Sequence, residues 1–425
     1  MQRAIRLDDL YREREFKKLD TATYFFSLLT IFSLPWRNAL VVIDSPTLTI
    51  GWVTGGIFGL LWTVSVLLNR NDLIIHRYHL LFFALPILAG ISSLWTVGIG
   101  QTVSQTVTFV YLTAFIVAFA EIYSNKQRVI LALQMLIFGL AVLAIGATLQ
   151  YTDAVFFDSM FFDQLAYGRA SPFGINPNNL GNSLVLGIPI VFLFSIKTSY
   201  GLGKIRYLNY VFLLLSVAAV VLSGSRGAIV SLGVVSVYLY LYAVATSGIK
   251  RAIALVVIGV ISVITAIFFA PTVLVERVST IQSILSSFDP NNIRSWVASI
   301  DNRGYLWISA FESFKQNPLL GVGAGNIRII GNTAHSVYIL MLVELGIVGF
   351  AIYMLLILLT LRVCVYHRDY FSLGILVAWA TISVANDWAF VISLILINFI
   401  ILLNSRYIEG WKPGSSVEDT LVEAR

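Results

Sequence analysis

The sequence predicts an all-α polytopic membrane protein, and three observations carry that prediction. Apolar residues make up 58% of the chain and charged residues only 12%, about half the charge of a soluble domain. Mean hydropathy is +0.85. Apolar runs long enough to cross about 30 Å of hydrocarbon recur along the whole chain. The 425 residues therefore read as one bundle of spanning helices with no internal linker, where a soluble chain of this length suggests two or three domains.

The elements follow in order. Residues 1–20 form a mixed-charge segment (Arg3, Arg6, Asp8, Asp9, Arg12, Glu13, Arg14, Glu15, Lys17, Lys18) with no small-residue cleavage site near the apolar run that follows. This argues against a signal peptide and for a cytoplasmic amphipathic segment on the membrane surface, with a plain solvated tail as the alternative. Spans one to nine are expected within 21–270, near 21–43 with a kink at Pro35, then 48–69, 78–97, 104–123, 129–149, 180–196, 207–224, 227–246 and 252–270. A large loop occupies 271–334, and three further spans lie near 335–359, 370–386 and 388–404, ahead of a tail over 405–425. That makes about 12 transmembrane helices in all. The tightest connections are Ala385-Asn386-Asp387, between the last two spans, and the turn at Arg226.

Charge orients the bundle. With the N-terminus in the cytoplasm, inner segments hold 20 of the 28 Lys and Arg, among them Arg70, Arg77, Lys126, Arg128, Lys250 and Arg362, as the positive-inside rule requires. Both termini are then cytoplasmic. The net charge of +6 follows from this topology and needs no nucleic-acid partner. The single cysteine, Cys364, falls on the predicted cytoplasmic side, which excludes disulfides and a cysteine metal cluster.

The basic residues on the outer side are the informative ones: Arg37, Arg169, Arg226, Arg277, Arg294, Arg303, Lys315 and Arg328. All but one are arginine, although lysine serves solubility equally well, so the bias suggests bidentate binding of phosphate or carboxylate. Pairing with outer acids such as Asp153, Asp158, Asp163, Glu276, Asp289 and Asp301 is the simpler account of Arg37, Arg277, Arg294 and Arg328. Arg226 is different. In Leu222-Ser223-Gly224-Ser225-Arg226-Gly227-Ala228 small residues let backbones approach and leave the guanidinium little water. A charge at such depth costs about 2.5 to 3.5 kcal/mol on insertion scales and requires a partner or a ligand; an anionic ligand is favoured over an ion pair.

Two outer loops are long enough to build a site. The first, near 150–179, holds Arg169 and the turn-rich run Ser171-Pro172-Phe173-Gly174-Ile175-Asn176-Pro177-Asn178-Asn179, whose asparagines offer paired donors and acceptors. Arg169, Asn176 and Asn178 are candidate substrate contacts. The second contains a helix predicted from Tyr305 to Lys315, capped by Asp301 or Asn302, with Trp307, Phe311 and Phe314 as a packing or bilayer-facing stripe. The run Gly321-Val322-Gly323-Ala324-Gly325-Asn326 that follows lacks the Lys-Ser/Thr of a phosphate loop and is a weak signal alone. His335, in Asn332-Thr333-Ala334-His335-Ser336-Val337-Tyr338, is the only one of four histidines on the outer side. An imidazole at the water–lipid boundary is the candidate proton acceptor, the alternative being a structural cap on the tenth span. His76, His79 and His367 belong to the cytoplasmic side, the first two at the interface.

No outer segment pairs residues as D-x-D or H-x-x-x-H, so no metal is expected. No G-x-S-x-G or other nucleophile signature is present, and no cofactor is expected. Arginines with one histidine suit one reaction class, transfer of a group from a diphosphate to a hydroxyl. The arginines stabilise the departing phosphate and the histidine takes the acceptor's proton.

Over roughly 165–390 the chain resembles the O-antigen ligase and polymerase superfamily of bacterial envelopes. The resemblance is carried by Ser223-Gly224-Ser225-Arg226-Gly227-Ala228, by Asn302-Arg303-Gly304-Tyr305-Leu306-Trp307 with Asn317-Pro318-Leu319-Leu320-Gly321-Val322-Gly323, and by Ala334-His335-Ser336-Val337-Tyr338 with Glu344-Leu345-Gly346. It implies a GT-C-like helical bundle in the inner (plasma) membrane that transfers a glycan from undecaprenyl diphosphate to an acceptor hydroxyl on the periplasmic side, without metal. The family's functional positions fall on Arg226, Arg303 and His335, and a further match puts an acidic residue at Asp387. The implied partners are an undecaprenyl-diphosphate-linked glycan donor, a lipid or polysaccharide acceptor with a free hydroxyl, and membrane lipids.

Rival functions make different demands. A polymerase uses the same leaving group and joins repeat units, and only the moderate loop sizes favour the ligase. A secondary anion transporter should show inverted repeats and mid-membrane charges, whereas the notable charges lie at the outer edge. A non-catalytic scaffold predicts that Arg226, Arg303 and His335 are individually dispensable.

Overall fold

A computed structural model describes residues 7–37, 49–69, 78–123, 126–151, 169–196, 206–247, 301–329, 335–386 and 389–403, with single positions between 253 and 292. Every regular element among them is a helix. In chain order these are α1 (Leu7–Ser33), α2 (Ile50–Asn69), α3 (His79–Ile91), α4 (Ile99–Ile122), α5 (Lys126–Tyr151) and α6 (Pro177–Ile196). Then follow α7 (Arg206–Leu222), α8 (Arg226–Ser247), α9 (Asp301–Gln316), α10 (Val337–Tyr366), α11 (Tyr370–Ala385) and α12 (Ala389–Leu403). Six of them (α2, α4, α5, α6, α8 and α10) are long and apolar enough to cross a membrane, and α3, α7 and α11 are apolar and shorter. The chain is an all-α membrane protein.

Helix α1 runs unbroken across residue 20. The kink expected at Pro35 is a 3-10 turn over Leu34–Trp36 with all three residues buried. Proline suits such a place because its missing N–H has no helical partner to lose. Of the expected ninth span, the described positions between 253 and 264 are helical, and the remainder lies outside the described residues.

The core centres on α6, which packs against α5, α7, α8 and α11 and buries Leu180, Leu184, Val185, Ile188, Val191 and Phe192. Around it α1 packs on α2 and α5, α3 on α4 and α10, and α12 on α4, α10 and α11. On the outside, Leu60, Leu67 and Leu68 of α2 and Val103, Val107 and Val110 of α4 are exposed. Lipid solvates such side chains as well as a protein core does.

Helix α10 is broken at Gly346, whose φ of +65° and ψ of −165° are open almost only to glycine. The break frees backbone groups that the segment after α9 satisfies. Val322 N donates to Val343 O at 2.9 Å and Gly323 N to Glu344 O at 2.9 Å; in return Ile347 N donates to Pro318 O at 2.9 Å and Val348 N to Leu319 O at 3.3 Å. Unpaired backbone at membrane depth would cost several kcal/mol per group, so non-helical chain survives there only when protein covers it. The glycine run is that cover. Gly321, Gly323 and Gly325 all have positive φ, and a Cβ on Gly323 would stand 2.6 Å from Thr96 Oγ1.

The far edge of the run is held by a buried polar knot. Asn326 Nδ2 donates to Thr96 Oγ1 at 2.6 Å and to Thr102 Oγ1 at 2.8 Å, and Ile327 N donates to Glu344 Oε1 at 3.3 Å. Glu344 is 3% exposed. These bonds dock the α9–α10 connection onto α3 and α4.

Candidate functional site

The site is built from the turn between α7 and α8. Leu222 ends α7, Gly224 turns the chain at φ +57°, and Arg226 opens α8. Ser225 Oγ accepts from the Ala228 amide at 3.4 Å, which satisfies one of the N–H groups that a helix start leaves over. The turn presses on the beginning of α6, where a Cβ on Gly181 would stand 2.6 Å from Ser223 Oγ and 2.8 Å from Ala228 Cβ.

Asn176 precedes α6 and caps it. Its Oδ1 accepts from the Asn178 amide at 2.9 Å and its carbonyl from the Leu180 amide at 3.0 Å, with Pro177 at the first helical position. Arg169 then ties this helix start to the turn. Its Nη2 donates to Asn178 Oδ1 at 2.7 Å and its Nε to the Ser223 carbonyl at 2.7 Å. A planar guanidinium can hold two acceptors in fixed directions, so Arg169, Asn178 and the Ser223–Arg226 turn form one unit.

The facing side comes from α10 and α11. His335 is half-buried and has φ +46°, a left-handed backbone that a side chain disfavours. Next to it, Ser336 Oγ donates to the Ser383 carbonyl at 3.3 Å, and Tyr338 Oη donates to the Ala380 carbonyl at 3.1 Å. Beyond Ser383, Asn386 Nδ2 donates to Asn179 Oδ1 at 3.2 Å. A polar strip therefore runs from His335 and Ser336 across the end of α11 to Asn179, Asn178, Arg169 and the Ser223–Arg226 turn.

Arg303 lies on the first turn of α9, a helix that begins at Asp301, earlier than its predicted start at Tyr305. Helix α9 packs on α10 through Ala310, Val322, Ile327 and Val343. The Arg303 side chain and the whole of Asp387 lie outside the described residues. Residues 211–354, about a third of the chain, match the O-antigen ligase family. The chain carries an O-antigen ligase domain. That family comprises glycosyltransferase-type ligases and polymerases. None of the curated proteins matches the chain.

The O-antigen ligase domain runs from α7 into α10 and contains Arg226, Arg303 and His335, while Arg169, Asn176, Asn178 and Asp387 lie beyond its limits. The strip thus joins the domain to the start of α6 and the end of α11. Among the described residues no three His, Cys, Asp or Glu side chains gather as a metal site would need. The other histidines stand apart. His79 is fully buried at the start of α3, with its ring 4.3 Å from that of Tyr78. His367 follows the opposite end of α10, where burial lowers its pKa below the ordinary imidazole value against an upward pull from Asp369. His76 lies outside the described residues.

In the aromatic stripe expected on α9, Phe314 packs against the buried cluster of Ala310 and Val343, whereas Phe311 is exposed with Lys315 Nζ 5.1 Å from its ring centroid. Of the two residues that close the strip, Asn179 is among the loop asparagines that sequence reasoning marks, whereas Asn386 is missed, its one signal being its position beside Asp387.

Arg169→Lys is expected to lower thermal stability by about 2 kcal/mol, because an ammonium cannot reproduce both charge-assisted bonds of the fork. If Arg169 braces the turn in this way, Asn178→Ala should lose less, and the double variant should lose little more than Arg169→Lys alone. Additive losses in a thermal-unfolding cycle would show that the two do not act together.

Proposed function

We propose that the chain is a metal-independent, inverting glycosyltransferase of the O-antigen ligase type. It moves a glycan from undecaprenyl diphosphate to a hydroxyl of a lipid A-core acceptor on the periplasmic face of the bacterial inner membrane. In this reading the bundle is GT-C-like with about 12 spans and cytoplasmic termini. The observation that carries it is the polar strip, which links His335 to the turn bearing Arg226, with all three proposed catalytic residues inside the matched domain.

The chemistry follows from where the residues stand. Arg226 opens α8 and Arg303 lies in the first turn of α9, so the backbone of each residue stands where aligned peptide dipoles favour an anion. A diphosphate satisfies both arginine and helix end. An imidazole nitrogen of His335 takes the proton of the acceptor hydroxyl, and that oxygen attacks the anomeric carbon from the face opposite the leaving group. The bond from that carbon to the diphosphate oxygen breaks with its electron pair going to the diphosphate, where Arg226 and Arg303 stabilise the charge. The products are the glycosylated acceptor, inverted at the anomeric carbon, and undecaprenyl diphosphate; His335 returns its proton to water. Arg169 serves this site by bracing the turn and by adding positive charge beside the diphosphate. Asn176, Asn178 and Asp387 line the sugar side.

Purified protein should transfer glycan from a polyprenyl-diphosphate donor in the presence of EDTA. His335→Ala is expected to lose about 10²- to 10⁴-fold in rate, and Arg226→Ala and Arg303→Ala about 10²- to 10³-fold each, with unchanged size-exclusion profiles. Full activity in the three variants would overturn the assignment. Supplying lipid A-core or a second donor as the acceptor separates ligase from polymerase.

A further inference from the structure

A cavity of about 140 Å³ lies between α1, α2 and α4, and none of its lining residues belongs to the polar strip. Its walls are aromatic. Trp52 of α2 meets Tyr111 of α4 at 5.4 Å between ring centroids, Tyr111 meets Phe115 at 4.3 Å, and Phe119 continues the wall. At the end beside Gly51 and Trp52 stand Ser33 and Arg37, the latter being the one charged residue among the described lining residues.

The backbone holds Arg37 at that end. Its carbonyl accepts from the Gly51 amide at 3.2 Å and from Thr49 Oγ1 at 2.5 Å, and a Cβ on Gly51 would stand 2.4 Å from Arg37 Cβ. Ser33 Oγ is engaged by Thr30 O and Thr54 Oγ1, both at 3.0 Å. Arg37 thus brings the one positive charge to this end of the described lining. The cavity also reaches the surface sideways, because Trp52 lines it and is 48% exposed, beside the exposed Val107 and Val110 of α4.

A guanidinium at one end, aromatic walls along the rest and a lateral mouth onto an apolar surface match an amphiphile with an anionic head. We propose that this cavity binds an acidic membrane lipid, its phosphate on Arg37 and one chain between α2 and α4 along Trp52, Tyr111, Phe115 and Phe119. A zwitterionic lipid carries its own cation beside the phosphate and gains less from Arg37. The site does not rest on the proposed glycan transfer and stands or falls separately.

Native mass spectrometry of the purified full chain tests it, with phosphatidylglycerol, phosphatidylcholine and undecaprenyl phosphate as probes. The wild type should retain an acidic lipid at least about tenfold more strongly than phosphatidylcholine. Arg37→Gln should abolish that preference, Arg37→Lys should keep most of it, and Thr108→Phe, which fills the cavity from α4, should weaken binding of every probe. Thermal unfolding and size-exclusion profiles check that each variant is folded. Retention of phosphatidylglycerol, of undecaprenyl phosphate or of both, dependent on Arg37 and on the open cavity, upholds the site and names its occupant. Equal retention of all three probes, or acidic-lipid binding untouched by either Arg37→Gln or Thr108→Phe, overturns it.

Discussion

His335→Gly is expected to abolish glycan transfer while leaving the protein more stable than His335→Ala. At φ +46° the imidazole-bearing residue occupies a left-handed backbone that costs a side chain about 1 to 2 kcal/mol and glycine almost nothing. Against this gain stands the extra freedom of glycine in the unfolded chain, worth about 0.4 to 1 kcal/mol. Both substitutions give up the imidazole's own contacts, so the backbone terms decide the order of the two variants. His335→Ala keeps the strained backbone and should unfold at a lower temperature than His335→Gly, although both lose transfer equally. A purely structural cap predicts the reverse ordering of consequences, with stability falling and turnover surviving. Melting curves and transfer rates on the same preparations decide, and added imidazole should restore part of the rate in His335→Gly if the missing group is a base. A strained residue kept at this point of the strip is what a functional constraint leaves behind.

Gly346→Ala is expected to destabilise the protein by more than about 3 kcal/mol, combining backbone strain with overpacking. The added Cβ would stand 2.2 Å from Leu319 O and 2.4 Å from Leu319 C, both backbone atoms that cannot swing aside. Relief requires the glycine run to leave the break in α10, which strands the carbonyls of Val343 and Glu344 and loosens α9 from α10. Transfer should fall with stability, since Arg303 is carried on α9. Gly233→Ala in α8 is the control: nothing lies within 4 Å of its Cβ position, and its effect should stay within about 0.5 kcal/mol. Similar unfolding temperatures for the two variants would show that the break is not held as described.

Much of this architecture is legible in the chain because the signals are local. Long apolar runs between charged or turn-forming segments locate α2, α4, α5, α6, α8 and α10, since backbone groups in lipid must pair within their own segment. The tight turn at Arg226 is legible for the same reason: Ser223-Gly224-Ser225 interrupts an apolar run with small residues, and the helices end and begin there. Candidate residues are legible as residue types. Arginine at a helix start and a lone histidine at a span boundary are chemically suggestive before any coordinates.

What the sequence leaves open is how those residues are held. The run Gly321-Val322-Gly323-Ala324-Gly325-Asn326 is a weak nucleotide signal when read alone, and it is instead the plug that satisfies the broken α10. Nothing local announces this, because its partners Val343, Glu344 and Thr102 lie in other helices and Thr96 in the connection between α3 and α4. The same holds for Arg169, which reads as a phosphate ligand and is found bracing Ser223 and Asn178. The burial of His79 at the start of α3 is likewise invisible to hydropathy, because it depends on which helices pack there. Class, helix positions and the chemical character of the site follow from composition and from the cost of unpaired backbone in lipid, which act on every segment independently. The strip that joins His335 to the Arg226 turn, the break in α10 and the Arg37 cavity follow only from which helices touch, because each is made of residues far apart in the chain that no local rule pairs.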